Sequence, residues 1–543
     1  QQFNYQGIDP FTGAQYSQTQ MNGVFANSNS QDYIDWVSWV RAFGINSCYS
    51  SVFQQLYNQL AVFRWWNTAN NWGGSCFGIA ASNALAFRYK DLFLNRFIAF
   101  QNFTNPITVA SDSGVKRIVN ELFAHQYGKL SLTNDNFSFN KTPFQTITEL
   151  KQMFAEDDAN IRTISILNQN GGGGHTILAY GLEQDTLQTN LFYVKVYDNS
   201  NPNSNNPITV DILANNGHGT WSTPEPSWSN WGGTKGFYLE IPSVNYLNNA
   251  SSNKSNNYES PFKLSSEEVE IISSINSSIQ VIDQQSNTTG YNNGSVINEI
   301  PGSIPRMIKN GKEDPPYGYH LPFDFYSVIL FNFIQDSIKT SFYTGNKSFM
   351  FERSGVIQTE TDRLFFDGGV SYANPDANNK TISLLNLISE ENQEKLCIIR
   401  SLQMINNDSV KIENPDSNKI KLFSYGSSKN YEIELNYISE NGIGIFGNSS
   451  IQLTANSSHT VIPDWGNVGT TPLQIIVDLG NNGTIDDTLY INNLVGLYDQ
   501  GSLINPKSYN LSQNYPNPFN PSTKIRYSIP RSTEYYSVLQ NVT

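Results

Sequence analysis

Charge is scarce in this chain. Of its 543 residues only 15% are Asp, Glu, Lys or Arg, while 38% are hydrophobic, so its polarity comes largely from Asn, Ser, Thr and Gln. That balance excludes a disordered polyelectrolyte and suits an extracellular β-rich protein. Dense Lys/Arg clusters are missing too, and the net charge is −14, which argues against nucleic acid or an anionic membrane as the main partner. The longest apolar stretch, Tyr326 to Ile334, is interrupted by Asn332 and falls far short of the roughly 20 residues a membrane-spanning helix needs, so no transmembrane segment is expected. Cysteine and histidine are rare, at three and five. An odd cysteine count leaves at least one thiol free, and a bridge between the distant Cys48 and Cys397 is not expected because disulfide geometry is demanding. Neither His-Glu-x-x-His nor a Cys-x-x-Cys pair occurs, so no zinc or other metal and no cofactor is predicted. The chain starts at Gln1-Gln2 without a basic-then-apolar leader, which predicts a signal peptide already removed.

The length predicts roughly three to four domains. Residues 1–30, rich in Gln, Asn, Gly and Tyr, read as an N-terminal arm. Helical spacing begins with Tyr33, Trp36, Val37 and Val40, and a second aromatic stretch runs from Leu56 to Trp66; both fit a helical layer. Residues 112–127 and 146–155 are predicted helical. Strand signals then take over at Ile161 to Leu167, His175 to Tyr180, Leu191 to Asp198 and Gly236 to Ile241, each β-branched or aromatic and bounded by Gly, Asn or Pro. Helices first and strands afterwards predict an α+β domain over 31–247. Eight of the nine tryptophans lie between Trp36 and Trp231, the ninth being Trp465, which supports a boundary soon after 245. Residues 248–300 read as an Asn/Ser-rich linker with room for one short ordered element around Val269 to Ile272. Short strand candidates separated by Asn, Gly and Asp turns fill 301–500 and predict one or two β-sandwiches. No convincing internal repeat is visible there.

The chemistry is predicted to begin at Asn71-Trp72-Gly73-Gly74-Ser75-Cys76-Phe77-Gly78. The glycines and Ser75 form a turn, Ser75 is a candidate N-cap, and Phe77, Ala80, Ala81, Ala84 and Leu85 share one helix face. Cys76 then sits in the first helical turn, where unpaired N–H groups and the positive end of the macrodipole stabilise a thiolate. A nucleophilic thiol needs a base, and the base needs an orienting group. His175 is the best candidate base, because it follows Gly171 to Gly174 and opens a strand. The four-glycine run lacks the Gly-Lys-Ser/Thr of a phosphate loop and reads as slack that lets His175 reach Cys76. The third member is sought at the end of the neighbouring strand, in Tyr197-Asp198-Asn199-Ser200.

Gly-Ser-Cys-Phe-Gly, then Gly-His-Thr-Ile-Leu-Ala-Tyr-Gly, then Val-Tyr-Asp-Asn-Ser-Asn-Pro resemble the three signature blocks of papain-like cysteine peptidases, particularly their bacterial branch, across about residues 65 to 245. The resemblance implies a papain-like fold, a helical part plus an antiparallel sheet. It also implies hydrolysis of a protein or peptide substrate through an acyl thioester. Cys76 would be the nucleophile, His175 the general base and then acid, and Asp198 the orienting residue, with Asn199 a rival because the papain branch uses an Asn followed by Ser. Strand alternation puts Val194, Val196 and Asp198 on one side and Asn199 on the other. The papain branch takes an oxyanion donor from a Gln six residues before the cysteine; Asn70 stands there in this chain, with Asn71 beside it. The other donor would be the backbone N–H of Cys76.

A transglutaminase-like acyl transferase uses the same Cys, His, Asp order, and a catalytically inert surface adhesion or binding protein is the non-enzymatic alternative. Asp478 to Asp487 has the alternating oxygens of a calcium loop, but position three is Gly480 and the twelfth position lacks its Glu, so a polar hairpin turn is expected. In the tail, residues 501–543, Asn514-Tyr515-Pro516-Asn517-Pro518-Phe519-Asn520-Pro521 precedes a predicted strand, Ile525 to Ile529. This closely resembles the opening of the C-terminal sorting domain read by the type IX secretion machinery. It implies a secreted or cell-surface bacterial protein exported through the outer membrane. Such a domain continues through several more strands, so the sorting segment reads as truncated at Thr543.

Overall fold

The computed structural model describes residues 74–102, 113–128 and most of 141–240 and 264–494, together with 34, 36–48, 61, 65, 510–511 and 527–528. In the N-terminal part, helices α1 (Trp36–Phe43), α2 (Cys76–Arg88), α3 (Ser113–Ala124) and α4 (Pro143–Glu156) precede seven strands: β1 (Arg162–Leu167), β2 (Gly174–Gln184), β3 (Leu191–Tyr197), β4 (Ile208–Asp211), β5 (Thr220–Ser222), β6 (Gly232–Gly233) and β7 (Tyr238–Glu240). They form one antiparallel sheet in the order β6-β5-β4-β3-β2-β1-β7. The segregation of helix and strand is the predicted one, and the predicted strand positions coincide with β1, β2, β3 and β7.

The stripe foreseen on α2 is buried: Phe77, Ala80, Ala81, Ala84 and Leu85 are each 2% exposed or less. Gly78 is buried as well, for a steric reason. A Cβ there would lie 2.1 Å from the Val119 carbonyl oxygen on α3, so only glycine allows the two helices to approach this closely. Helix α4 starts earlier than predicted, because Thr142 and Gln145 form a reciprocal capping box around Pro143: the Thr142 N–H donates to Gln145 Oε1 at 2.8 Å and the Gln145 N–H to Thr142 Oγ1 at 3.2 Å. The α4 residues Ile147, Leu150 and Met153 then cover Ile164, Ile166, Ile177, Ala179, Val194 and Val196 on the sheet, while Ala80 and Ala84 of α2 pack on Leu178.

Beyond the N-terminal part lie an eleven-stranded and a nine-stranded sheet, antiparallel in every pairing. One apolar core, with Ile271, Phe342, Phe351, Leu384 and Ile399 from one sheet and Val281, Val328, Leu364, Ile412 and Ile475 from the other, lies between them. These two sheets around one core are compatible with the one or two β-sandwiches expected. Hairpins enter the sheets alternately. Ser337–Thr344 with Lys347–Ser354, Lys380–Glu390 with Gln393–Met404, and Lys429–Ser439 with Gly442–Leu453 belong to the nine-stranded sheet. Asp362–Phe366 with Val370–Ala373, Ser409–Asp416 with Lys419–Tyr425, and Ser457–Ile462 with Leu473–Leu479 belong to the other. This is a topological repeat that leaves no repeated sequence, since each hairpin needs only apolar alternation and a turn.

The linker reading of 248–300 is corrected. Strands Glu268–Ser273, Ser278–Ile282, Thr288–Asn292 and Ser295–Asn298 lie within it and are full members of the two sheets; residues 241–263 lie outside the described residues. The nine-stranded sheet is covered on its second face too. Ile272, Tyr343, Met350, Leu387, Leu396 and Ile398 share a buried cluster with Trp39, Phe43, Phe77, Phe123 and Tyr127. Leu396 and Ile398 face the helices while Cys397 and Ile399 face the other sheet, so burial on both faces produces a continuous apolar run. Each large apolar side chain buried at this joint contributes about 1.5–3 kcal/mol, so the helical layer and the sheet are packed together rather than tethered.

The stretch Asp478 to Asp487 forms a turn between Leu473–Leu479 and Asp487–Ile491. The Asp478 carboxylate accepts the N–H groups of Asn482 and Gly483, both at 3.0 Å. In the tail, Asn510–Leu511 pairs antiparallel with Tyr527–Ser528. Among the described residues no helix is long and apolar enough to cross a membrane.

Candidate active site

Cys76 is the first residue of α2, and Ser75 precedes it at the N-cap position. The Ser75 side chain does not cap the helix; its hydroxyl donates instead to Asn120 Oδ1 on α3 at 3.4 Å. The helix start is therefore held by α3 rather than by a local cap. Asn120 was not foreseen, although a polar residue beside Val119 and Leu122 in the buried stripe of α3 was a signal to look for.

His175 stands at the second position of β2, paired with Ile166 of β1. It is buried, as are Cys76 and Asp198. Strand β3 ends at Tyr197, and the turn that follows is fixed by the Asn201 N–H donating to the Asp198 carbonyl at 3.1 Å and the Ser200 N–H donating to Asp198 Oδ1 at 2.8 Å. The same Oδ1 lies 2.8 Å from His175 Nε2. The His175 side chain is also hydrogen-bonded to Cys76. A second donor reaches the sulfur, the backbone N–H of Thr176 at 3.2 Å. No sequence pattern announces a backbone donor of this kind.

The structure thus brings Cys76, His175 and Asp198 together, and it separates the two candidates for the orienting position. Asp198 takes the imidazole. Asn199, beyond the end of β3, instead donates its Nδ2–H to the carbonyl oxygen of Cys76 at 3.1 Å. Asn70 and Asn71 lie outside the described residues. Among the described residues no group of three or more His, Cys, Asp and Glu side chains is arranged to hold a metal ion, and all three cysteines are free thiols.

The electrostatics of His175 follow from its neighbours. Burial by itself depresses an imidazole, but the negative charge of the Cys76 sulfur and the hydrogen bonds to Asp198 and Cys76 outweigh it and hold His175 up at about 9. At neutral pH the arrangement therefore favours an imidazolium at His175, beside the Cys76 sulfur at a helix N-terminus.

Compared with protein-family models, curated proteins and solved structures, the chain matches none.

Proposed function

We propose that this chain is a cysteine peptidase of papain-like type. The observation that carries the reading is the hydrogen-bonded chain from Cys76 through His175 to Asp198, built at a helix start. The Cys76 sulfur attacks a peptide carbonyl carbon, and the carbonyl electrons move onto oxygen. The oxyanion is received by the backbone N–H of Cys76, with Asn70 or Asn71 assigned the second donor from the papain resemblance. The imidazolium of His175 then gives its proton to the leaving amine as the C–N bond breaks. In the second half, water loses a proton to the now neutral His175 and attacks the thioester carbonyl, and collapse returns the sulfur anion and releases the acid. Asp198 acts through His175, fixing its tautomer and orientation.

The tail resemblance supports an exported, cell-surface or secreted enzyme delivered by type IX secretion machinery. The direct test is hydrolysis of casein by the wild-type chain and by Cys76→Ala. Wild-type cleavage that the variant lacks is the expected result; equal inactivity of both favours the inert scaffold. Incorporation of a labelled amine into a glutamine peptide without hydrolysis favours acyl transfer.

A further inference from the structure

We infer that Asn199 is a positioning residue that clamps the nucleophile to the base: its side-chain amide holds the Cys76 carbonyl while its neighbour Asp198 holds His175. This deepens the peptidase reading and rests on it for its catalytic consequence.

The clamp spans 123 residues of sequence. One turn, 198–201, carries both restraints. Asp198 Oδ1 is 2.8 Å from His175 Nε2, and Asn199 Nδ2 is 3.1 Å from the Cys76 carbonyl oxygen. The amide cannot be reversed, because a carbonyl accepts only donors and Oδ1 in that place would oppose it. Asn199 Oδ1 is itself buried, with no hydrogen-bond partner among the described residues. An orphaned oxygen of this kind costs about 1–3 kcal/mol, which marks the Nδ2 contact as the purpose of the side chain. The helix start is fixed on its other flank by Ser75 and Asn120. Asn199 is the link between the helix and the turn that carries the orienting carboxylate, and the sulfur-to-imidazole separation depends on that link. A shift of about 1 Å between reacting groups costs on the order of a hundredfold in rate.

Two variants separate this role from the rival one, in which Asn199 orients His175 through its oxygen. Asn199→Ala removes the donor. Asn199→Asp keeps the shape but sets a carboxylate oxygen against the Cys76 carbonyl. The charged groups acting on the pair are Cys76, His175 and Asp198. The readouts are kcat and KM on casein-derived peptides and the rate of Cys76 alkylation by iodoacetamide at pH 6, with the thermal midpoint recorded to establish folding. The expected result is a kcat about tenfold to a hundredfold lower in Asn199→Ala, with KM within about twofold and alkylation slowed in parallel, and Asn199→Asp lower still in both. An Asn199→Asp variant that equals or exceeds Asn199→Ala overturns the clamp, as does a change in KM alone. The near-isosteric Asp variant keeps the test available if the Ala variant does not fold. If the variant order holds for alkylation while the wild type cleaves no peptide, the clamp stands and the peptidase reading falls; cleavage without the variant order gives the reverse.

Discussion

Two histidines buried in different parts of this molecule are driven in opposite directions. His459 lies within the two-sheet part, where the Tyr431 hydroxyl is 3.0 Å from its Nδ1, and burial pushes it down to about 4. His175, in the N-terminal part, feels the same desolvation, yet the sulfur of Cys76 and the carboxylate of Asp198 lift it to about 9. The contrast shows that burial alone makes a neutral, inert imidazole. A poised one needs charges placed against it.

Buried charges in the two parts differ in the same way. Between the large sheets they are paired with one another: Asp362 lies 2.8 Å from Arg353 Nε and 3.0 Å from Lys380 Nζ and accepts the Tyr372 hydroxyl at 2.8 Å, and Asp408 pairs with Lys429 at 3.1 Å. Around Cys76 the chain of partners ends on a free thiol. A strongly shifted group is therefore not by itself a site here.

The largest effect that tests this contrast is expected from His175→Ala, which should lower kcat/KM by at least about a thousandfold, since the sulfur loses its proton acceptor and later donor. His459→Leu should leave kcat/KM within about twofold. Next comes Lys380→Met, which leaves Asp362 with fewer partners in the core. A loss of about 3 kcal/mol in urea unfolding is expected, with kcat of the folded protein unchanged. Asp198→Ala should follow at about a hundredfold in kcat. The sign of its pH effect is fixed. In the wild type the folded value of His175 is raised above 6.5, so the stabilising imidazolium contacts are fully present below about 6.5 and are lost, with activity, as pH rises through about 9. Without Asp198 the alkaline limb of a kcat/KM profile should move to lower pH. The smallest effect is on His459. Its folded value is depressed, so stability is full above 6.5 and is lost as pH falls toward about 4. His459→Leu should cost about 1 kcal/mol at pH 7 through the unpaired Tyr431 hydroxyl but remove that acid-side slope in urea titrations.

What was legible in the sequence followed from periodicity. The α2 stripe and the strands flanking His175 were readable, because helix and strand periods put predictable residues on predictable faces; the grouping of Cys76, His175 and Asp198 came from the resemblance to papain-like peptidases. Of the first strands of the two-sheet part, only the element around Val269 to Ile272 was readable. Thr288–Asn292 and Ser295–Asn298 are short, mix Thr, Gly, Asn and Ser with few apolar residues, and read as linker until their neighbours supply the hydrogen bonds. The choice between Asp198 and Asn199 was also hidden, because it depends on where β3 ends and how the next turn is tied, which are matters of tertiary contact. Phe77 was read as part of the α2 stripe, but nothing in its spacing told that it would pack in the cluster joining the helices to the nine-stranded sheet.

The three thiols offer the most direct measurement. Cys48 and Cys397 are buried and are pushed up by desolvation, whereas Cys76 lies beside His175. Native protein treated with iodoacetamide at pH 6 and mapped by mass spectrometry should carry the label at Cys76 and not at the other two, and His175→Ala should abolish it. Labelling of Cys76 at the same rate with and without His175, or no labelling of Cys76 in the folded protein, would contradict the account.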